Sequence, residues 1–66
     1  MHKVNIYTIN NEAIEIITDY NSIRVVTRVE HAVDRKEMLV LEDINGKVYY
    51  ISGDKILYIV VEELKD

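Results

Sequence analysis

Apolar and polar residues are arranged most distinctively around an Asn-Gly pair, Asn45-Gly46. Apolar runs at 39–41 and 48–51, rich in β-branched and aromatic residues, flank this pair. Asn and Gly tolerate the positive φ angles that tight hairpin turns need. The pattern therefore predicts a central β-hairpin over 39–51, to which the other elements are added.

The register of this hairpin has two solutions. A two-residue turn at Asn45-Gly46 places Leu41 opposite Tyr50. A turn that starts at Asp43, with Gly46 in a bulge, shifts the pairing by one residue and changes which tyrosine faces inward. The sequence alone does not distinguish these two registers.

Two stretches near the N-terminus also alternate. Residues 3–9 predict one strand, and residues 13–18 predict a second strand after a turn at 10–12. Residues 12–18 also fit one short helix, because Glu and Ala are good helix formers. The β-branched end of this segment, Ile16-Ile17-Thr18, favours the strand.

Residues 23–30 alternate most regularly, which predicts a half-exposed third strand. Arg24 and Arg28 share its outer face. With nearby tyrosines, they would form a basic, aromatic spot for an anion, a nucleotide or RNA. A cross-strand ion-pair ladder is the alternative, with Glu15, Glu30 or Glu42 as acidic partners. Residues 32–37 are predicted to be a charged connection to the hairpin.

The C-terminal part begins with a tight corner at 52–55, which is consistent with one turn of 3₁₀ helix. Six consecutive apolar residues follow at 56–61 and predict a strand. A central or barrel-closing strand would be covered by its own domain, whereas an exposed one would pair with a second copy or a partner. A chain of 66 residues has little interior, which favours a homo-oligomer through 56–61. Residues 62–66 are predicted to be a charged tail.

These patterns predict a single β domain over 1–66 and an all-β fold class. The expected architecture is a small five- to six-stranded antiparallel barrel or curled sheet. A hairpin, a tight corner and a closing strand resemble the ending of SH3-like and Sm-like small barrels, as an analogy of pattern. The composition agrees, because Ile, Val and Thr together make up a third of the chain.

Composition also excludes several classes of protein. The chain has no cysteine, which excludes a disulfide scaffold and a thiolate zinc site. Twelve acidic and eight basic residues give a net charge of −4, which argues against a nucleic-acid backbone as partner and suits a basic protein surface. No apolar segment has the length of a membrane span, and no signal-sequence pattern opens the chain. We therefore expect a cytoplasmic protein.

Candidate catalytic chemistry is sparse. His2 and His31 have no second ligand at a metal-binding spacing, and Ser22 and Ser52 lie where turn chemistry explains them. The carboxylates are scattered, and the two glycines are too far apart for a phosphate-binding loop. The sequence therefore predicts that the chain is not an enzyme and holds no metal or cofactor.

Residues for binding a partner are more plentiful. Tyrosine is enriched at protein interfaces. Several acidic residues lie near predicted strand ends, and clustered at one end of a barrel they would mimic a phosphate backbone; Asp66 belongs to this set. The partner-binding candidates are Arg24, Arg28, Tyr49, Tyr58, Asp43, Asp54, Glu62 and Glu63.

The function that these patterns favour is that of a non-catalytic, small, acidic protein-interaction module, which binds through a sheet edge or a tyrosine-bearing face. In its concrete form, this module is a phage- or bacterial-type accessory or inhibitor protein that binds a host defence or nucleic-acid enzyme. The alternative is an oligomeric Sm-like barrel that binds RNA or a nucleotide at its subunit interfaces, with Arg24, Arg28 and tyrosines. A purely structural subunit of a larger assembly is a third hypothesis.

Overall fold

The structure is a computed structural model and describes residues 1–65. Strands and helix follow one another in the order β-β-α-β-β-β, with a 3₁₀ turn before the last strand. Its elements are β1 (His2–Thr8), β2 (Ala13–Thr18), α1 (Ser22–Arg35), β3 (Met38–Glu42), β4 (Val48–Ser52), the 3₁₀ turn (Gly53–Lys55) and β5 (Ile56–Glu63).

The strands form two small antiparallel sheets. One has the order β2-β1-β5, and the other pairs β3 with β4. Two hydrogen bonds join them at a corner: Thr18 Oγ1 donates to the carbonyl O of Glu42 at 2.9 Å, and Ile44 N–H donates to that of Ile17 at 3.0 Å. The antiparallel pairing agrees with the sequence, but the strands of residues 1–65 do not close into a barrel.

The central hairpin is confirmed as β3 and β4, with the second of the two predicted registers. Gly46 N–H donates to the carbonyl O of Asp43 at 3.1 Å, and Gly46 has a φ of 84°. Leu41 therefore pairs with Tyr49. Because directly opposite residues lie on the same face of a sheet, Tyr49 faces the core with Leu41 and Tyr50 faces outward.

The strand predicted over 23–30 is wrong, because this segment belongs to α1. Asn21 caps the helix, since its Oδ1 accepts the N–H of Arg24 at 2.8 Å. The helix ends at Lys36, which adopts the left-handed conformation with a φ of 55°. The charged connection predicted over 32–37 is consequently for the most part the last turn of α1.

Alpha helix α1 buries Val25, Val29 and Ala32, which are spaced as one face of a helix. This face packs against β3, the 3₁₀ turn and β5. The all-β prediction is therefore correct only in part: the fold is mostly strand, and a helix covers one side of its core.

The core lies between α1 and the inner faces of the two sheets. β1 supplies its centre, with Val4 and Ile6 fully buried and Thr8 almost so. Alternate residues of β1 point to this side because successive side chains of a strand face opposite ways. The buried apolar residues are Val4, Ile6, Ile16, Val25, Val29, Ala32, Leu39, Leu41 and Ile51.

The remaining predictions near the two ends have mixed outcomes. Residues 13–18 form a strand, so the short-helix alternative for 12–18 is wrong, and the 3₁₀ turn agrees with the corner predicted at 52–55. β5 is a strand, but it lies at a sheet edge beside β1 and is neither central nor barrel-closing. It continues through Glu63, so the start of the predicted tail is ordered strand. Asp66 lies outside the described residues.

Candidate functional site

The outer face of the β3–β4 hairpin exposes a group of apolar side chains, which we call the hairpin patch: Met38, Val40, Val48 and Tyr50. Their exposed fractions are 52%, 36%, 43% and 67%. Val40 lies directly opposite Tyr50, and the other two residues lie two positions along each strand. The four side chains therefore share one face of a two-stranded sheet, with Met38 and Val48 on opposite sides of the central Val40–Tyr50 pair.

The hairpin patch is exposed because the hairpin has a layer on only one side. Its inner face carries Leu39, Leu41 and Ile51, all of them buried, together with the half-buried Tyr49. No element of residues 1–65 packs on the outer face, and that is why apolar residues in alternate positions remain in water. Contiguous exposed apolar residues of this kind mark interaction sites more often than isolated ones do.

A groove of about 180 Å³ adjoins the hairpin patch, between α1 and β3. Met38 and Val40 line it and so belong to both features. Arg28 and His31 from α1, with Glu37 from the loop that follows, line its polar side. An apolar surface beside a groove with a polar rim has the general composition of a protein interface.

The two arginines that were predicted on a strand lie one helical turn apart on α1. The guanidinium carbon of Arg24 lies 3.8 Å from the centre of the Tyr20 ring, and that of Arg28 lies 5.3 Å from it. Both distances are within the range of cation–π contact. The predicted ion-pair ladder is wrong, because the single salt bridge among residues 1–65 joins Lys3 to Glu15 at 3.5 Å. The arginines instead share one aromatic ring.

The two candidate tyrosines have different environments. Tyr49 is half-buried against the core, with Lys47 Nζ 5.2 Å from its ring centre. Tyr58, on the outer face of β5, is 53% exposed and stacks on Tyr7, with ring centres 4.5 Å apart and planes 17° apart. Tyr58 is therefore available for contact, whereas Tyr49 mainly fills space under the hairpin.

The candidate acids do not form one cluster. Asp43 is half-buried and holds the hairpin turn, because its Oδ1 accepts the N–H groups of Asn45 and Lys47, both at 2.9 Å. Asp54 accepts the hydroxyl of Ser52 in the 3₁₀ turn.

Glu62 and Glu63 are exposed at the far end of β5 from Asp54. β5 begins directly after the 3₁₀ turn and has eight residues. Asp54 and the Glu62-Glu63 pair therefore lie about 20 Å apart. A single phosphate-mimicking cluster that contains both Asp54 and the Glu62-Glu63 pair is therefore inconsistent with this fold.

The described part of the chain offers no grouping of three or more His, Asp or Glu side chains that would hold a metal ion. Each buried side-chain nitrogen or oxygen atom in it has a hydrogen-bond partner. No helix within residues 1–65 has the length and apolar character needed to cross a membrane.

No protein-family model matches the chain, and no curated protein matches it significantly. The residues of the hairpin patch, which the sequence did not single out, are Met38, Val40, Val48 and Tyr50. Their signal is the hairpin register, since the shift by one residue turns Tyr50, rather than Tyr49, towards solvent.

Proposed function

We propose that the chain is a non-catalytic interaction module that binds another protein through the hairpin patch. In its concrete form it is a phage- or bacterial-type accessory or inhibitor protein, acting in the cytoplasm on a host defence or nucleic-acid enzyme. The observation that carries the proposal is the uncovered outer face of β3 and β4, with its four exposed apolar side chains.

The chemistry of the hairpin patch fits a protein partner. Tyrosine and methionine are enriched at protein interfaces, and Tyr50 offers a large rigid ring at small cost in conformational entropy. Val40 lies opposite Tyr50 and lines the groove next to α1. An apolar side chain of the partner would enter this groove, while Arg28 and Glu37 at its side would fix the orientation through polar contacts.

Binding of RNA or a nucleotide is less well supported. A net charge of −4 opposes a phosphate backbone, and Arg24, one of the two candidate arginines, packs on the Tyr20 ring at 3.8 Å. The Sm-like ring that this alternative needs assumes a closed barrel, which the strands of residues 1–65 do not form. The test below includes an RNA probe that distinguishes nucleic-acid binding from protein binding.

The test compares Tyr50→Glu with the control Ile23→Glu. Both change the charge by the same amount at exposed apolar positions, because Tyr50 is 67% and Ile23 is 76% exposed. The immobilised variants and the unmodified chain are incubated with lysate of the cells in which the chain acts. Retained proteins are quantified by mass spectrometry. We expect one protein to be retained by the unmodified chain and by Ile23→Glu, and to be lost with Tyr50→Glu.

Titration of that purified protein then measures the effect. Loss of a central interface tyrosine is expected to weaken binding about 30-fold, and Ile23→Glu is expected to leave it unchanged. Equal retention by both variants would contradict the proposal. So would binding of a single-stranded RNA probe that weakens steeply between low and moderate salt, because that dependence is the signature of phosphate contacts.

A further inference from the structure

β5 has a free edge in the sheet of residues 1–65. β5 pairs with β1 on one side only. Its residues 56–61 are all apolar, and within them Leu57, Tyr58 and Val60 are 63%, 53% and 39% exposed. Natural sheet edges are usually guarded by charges within the strand. In β5 the charges stand only at the two ends, where Lys55 precedes the strand and Glu62-Glu63 close it.

The faces of β5 follow from its pairing with β1. Tyr58, Val60 and Glu62 lie opposite Tyr7, Asn5 and Lys3 and therefore share the outer face. Ile56, Ile59 and Val61 lie opposite Thr8, Ile6 and Val4 and share the core side. Leu57 is an extra residue, because Tyr7 pairs with Tyr58 and the adjacent Thr8 pairs with Ile56, so Leu57-Tyr58 counts as one position of the ladder.

Symmetry limits how two copies of this edge can pair. A two-fold axis that joins two β5 edges must run perpendicular to the sheet, and the strands are then antiparallel. Directly opposite residues of antiparallel strands lie on the same face. Outer-face residues must therefore meet outer-face residues, and only a few registers remain.

One of these registers matches every position from 55 to 62. With the two-fold axis at Ile59, like meets like on each face and opposite charges meet at both ends. The opposed pairs, one residue from each copy, are Ile59 with Ile59, Tyr58 with Val60, Ile56 with Val61, and Lys55 with Glu62.

The neighbouring registers place charged residues opposite apolar ones. An axis at Val60 sets Tyr58 against Glu62 and Ile56 against Glu63. An axis at Tyr58 sets Lys55 against Val60. The charges thus select a single register, and in a parallel arrangement they would instead place like charges together. Within residues 1–65 no ion pair engages Glu62, whose β1 neighbour Lys3 is bridged to Glu15.

We propose that the chain forms a homodimer by antiparallel pairing of two β5 strands about a two-fold axis at Ile59. The two three-stranded sheets then become one six-stranded sheet. On its outer face Tyr58 of each copy contacts Val60 of the other, and the Tyr7–Tyr58 stacks flank this centre. The dimer carries two hairpin patches, so a partner with two binding sites would be held more tightly than by one chain alone.

The first measurement is the mass in solution, by light scattering and by sedimentation over a range of concentrations. We expect twice the 7.7 kDa of one chain. Lys55→Glu places like charges together at both ends and is expected to weaken the dimer about tenfold. Lys55→Glu combined with Glu62→Lys restores the opposite charges and is expected to recover the dimer. Thermal melting of each variant verifies that it is folded.

The second measurement is cross-linking, which is clean because the chain has no cysteine of its own. Ile59→Cys meets itself across the axis and is expected to form a covalent dimer under mild oxidation. Val48→Cys, exposed on the hairpin patch, is the control and is expected to stay monomeric.

A monomeric mass at all concentrations would overturn the proposal. It would also be overturned if the double charge exchange failed to recover the dimer, or if Ile59→Cys and Val48→Cys cross-linked equally. Tyr50→Glu leaves β5 intact, and Lys55→Glu leaves the hairpin patch intact. Failure of self-association and failure of the proposed function are thus distinguishable.

Discussion

Substitution of Gly53 by Ala is expected to unfold most of the protein at ordinary temperature. Gly53 is buried in the 3₁₀ turn against the end of α1, and its N–H donates to the carbonyl O of Glu37 at 2.9 Å. A Cβ at this position would overlap the carbonyl group of Ala32 and lie 2.7 Å from the carbonyl O of Glu37. Both obstacles are backbone and cannot rotate away.

The loss of stability is large relative to what the chain has. Overpacking costs about 1–3 kcal/mol, and more where backbone must shift. A chain of this size has a free energy of unfolding of only about 3–5 kcal/mol. Gly46→Ala is the matched control. A Cβ there meets open space, so only its φ of 84° is strained, at a cost of about 1 kcal/mol.

Thermal melting followed by circular dichroism measures both variants. Gly46→Ala should melt cooperatively at a moderately lower temperature. Gly53→Ala should show no cooperative transition, or one shifted far below that of the control. Equal melting temperatures for the two variants would mean that the 3₁₀ turn is not packed closely against the end of α1.

Ile6→Ala is expected to have the second largest effect on stability. Ile6 is fully buried at the middle of β1, between Ile14 of β2 and Ile59 of β5. Removal of its side chain leaves a cavity that the two flanking strands cannot fill, and such substitutions cost about 2–5 kcal/mol. That range reaches or exceeds the whole stability of a small domain.

The same substitution at Ile23 is the control, because Ile23 is 76% exposed near the start of α1. Ala is the better helix former, so Ile23→Ala should leave stability unchanged or raise it slightly. Urea titration of both variants gives the free energies of unfolding. A loss below about 1 kcal/mol for Ile6→Ala would contradict the placement of β1 at the centre of the core.

The hairpin could be predicted from the sequence because its signal is local. Gly46 supplies the positive φ, and Asp43 accepts two backbone N–H groups of the same turn. Its register could not be predicted, since both turns suit the same residues. In the structure, Leu41 and Tyr49 lie on the core-facing side of the hairpin.

The sequence does not predict the helix, because the spacing of its apolar residues fits both the two-residue period of a strand and the 3.6-residue period of a helix. Val25 and Val29 fit a strand face as well as a helix face, and β-branched residues favour the former. Two local signals pointed to the helix: Asn21 as its cap, and Ala32 as the next residue on the buried face. Burial against β3 and β5 outweighs the weak helix propensity of the valines.

The structure gives the candidate site residues different environments. Tyr58 is exposed, whereas Asp43 holds the hairpin turn and Tyr49 packs against the core. The hairpin patch depends on a register that the sequence leaves open, so its central residue, Tyr50, was not singled out. The apolar run at 56–61 predicts the strand β5, but the sequence leaves open whether that strand is covered or lies at a sheet edge, as it does in the structure.

The most direct test of the account maps the contact surface by nuclear magnetic resonance. Amide signals of the isotope-labelled chain are recorded while the unlabelled partner protein, identified by capture, is added. We expect the largest changes at residues 38–40 and 48–50 and at the groove residue Arg28, with 56–63 unchanged. Changes confined to 56–63 or to the exposed side of α1 would contradict the claim that the hairpin patch binds the partner.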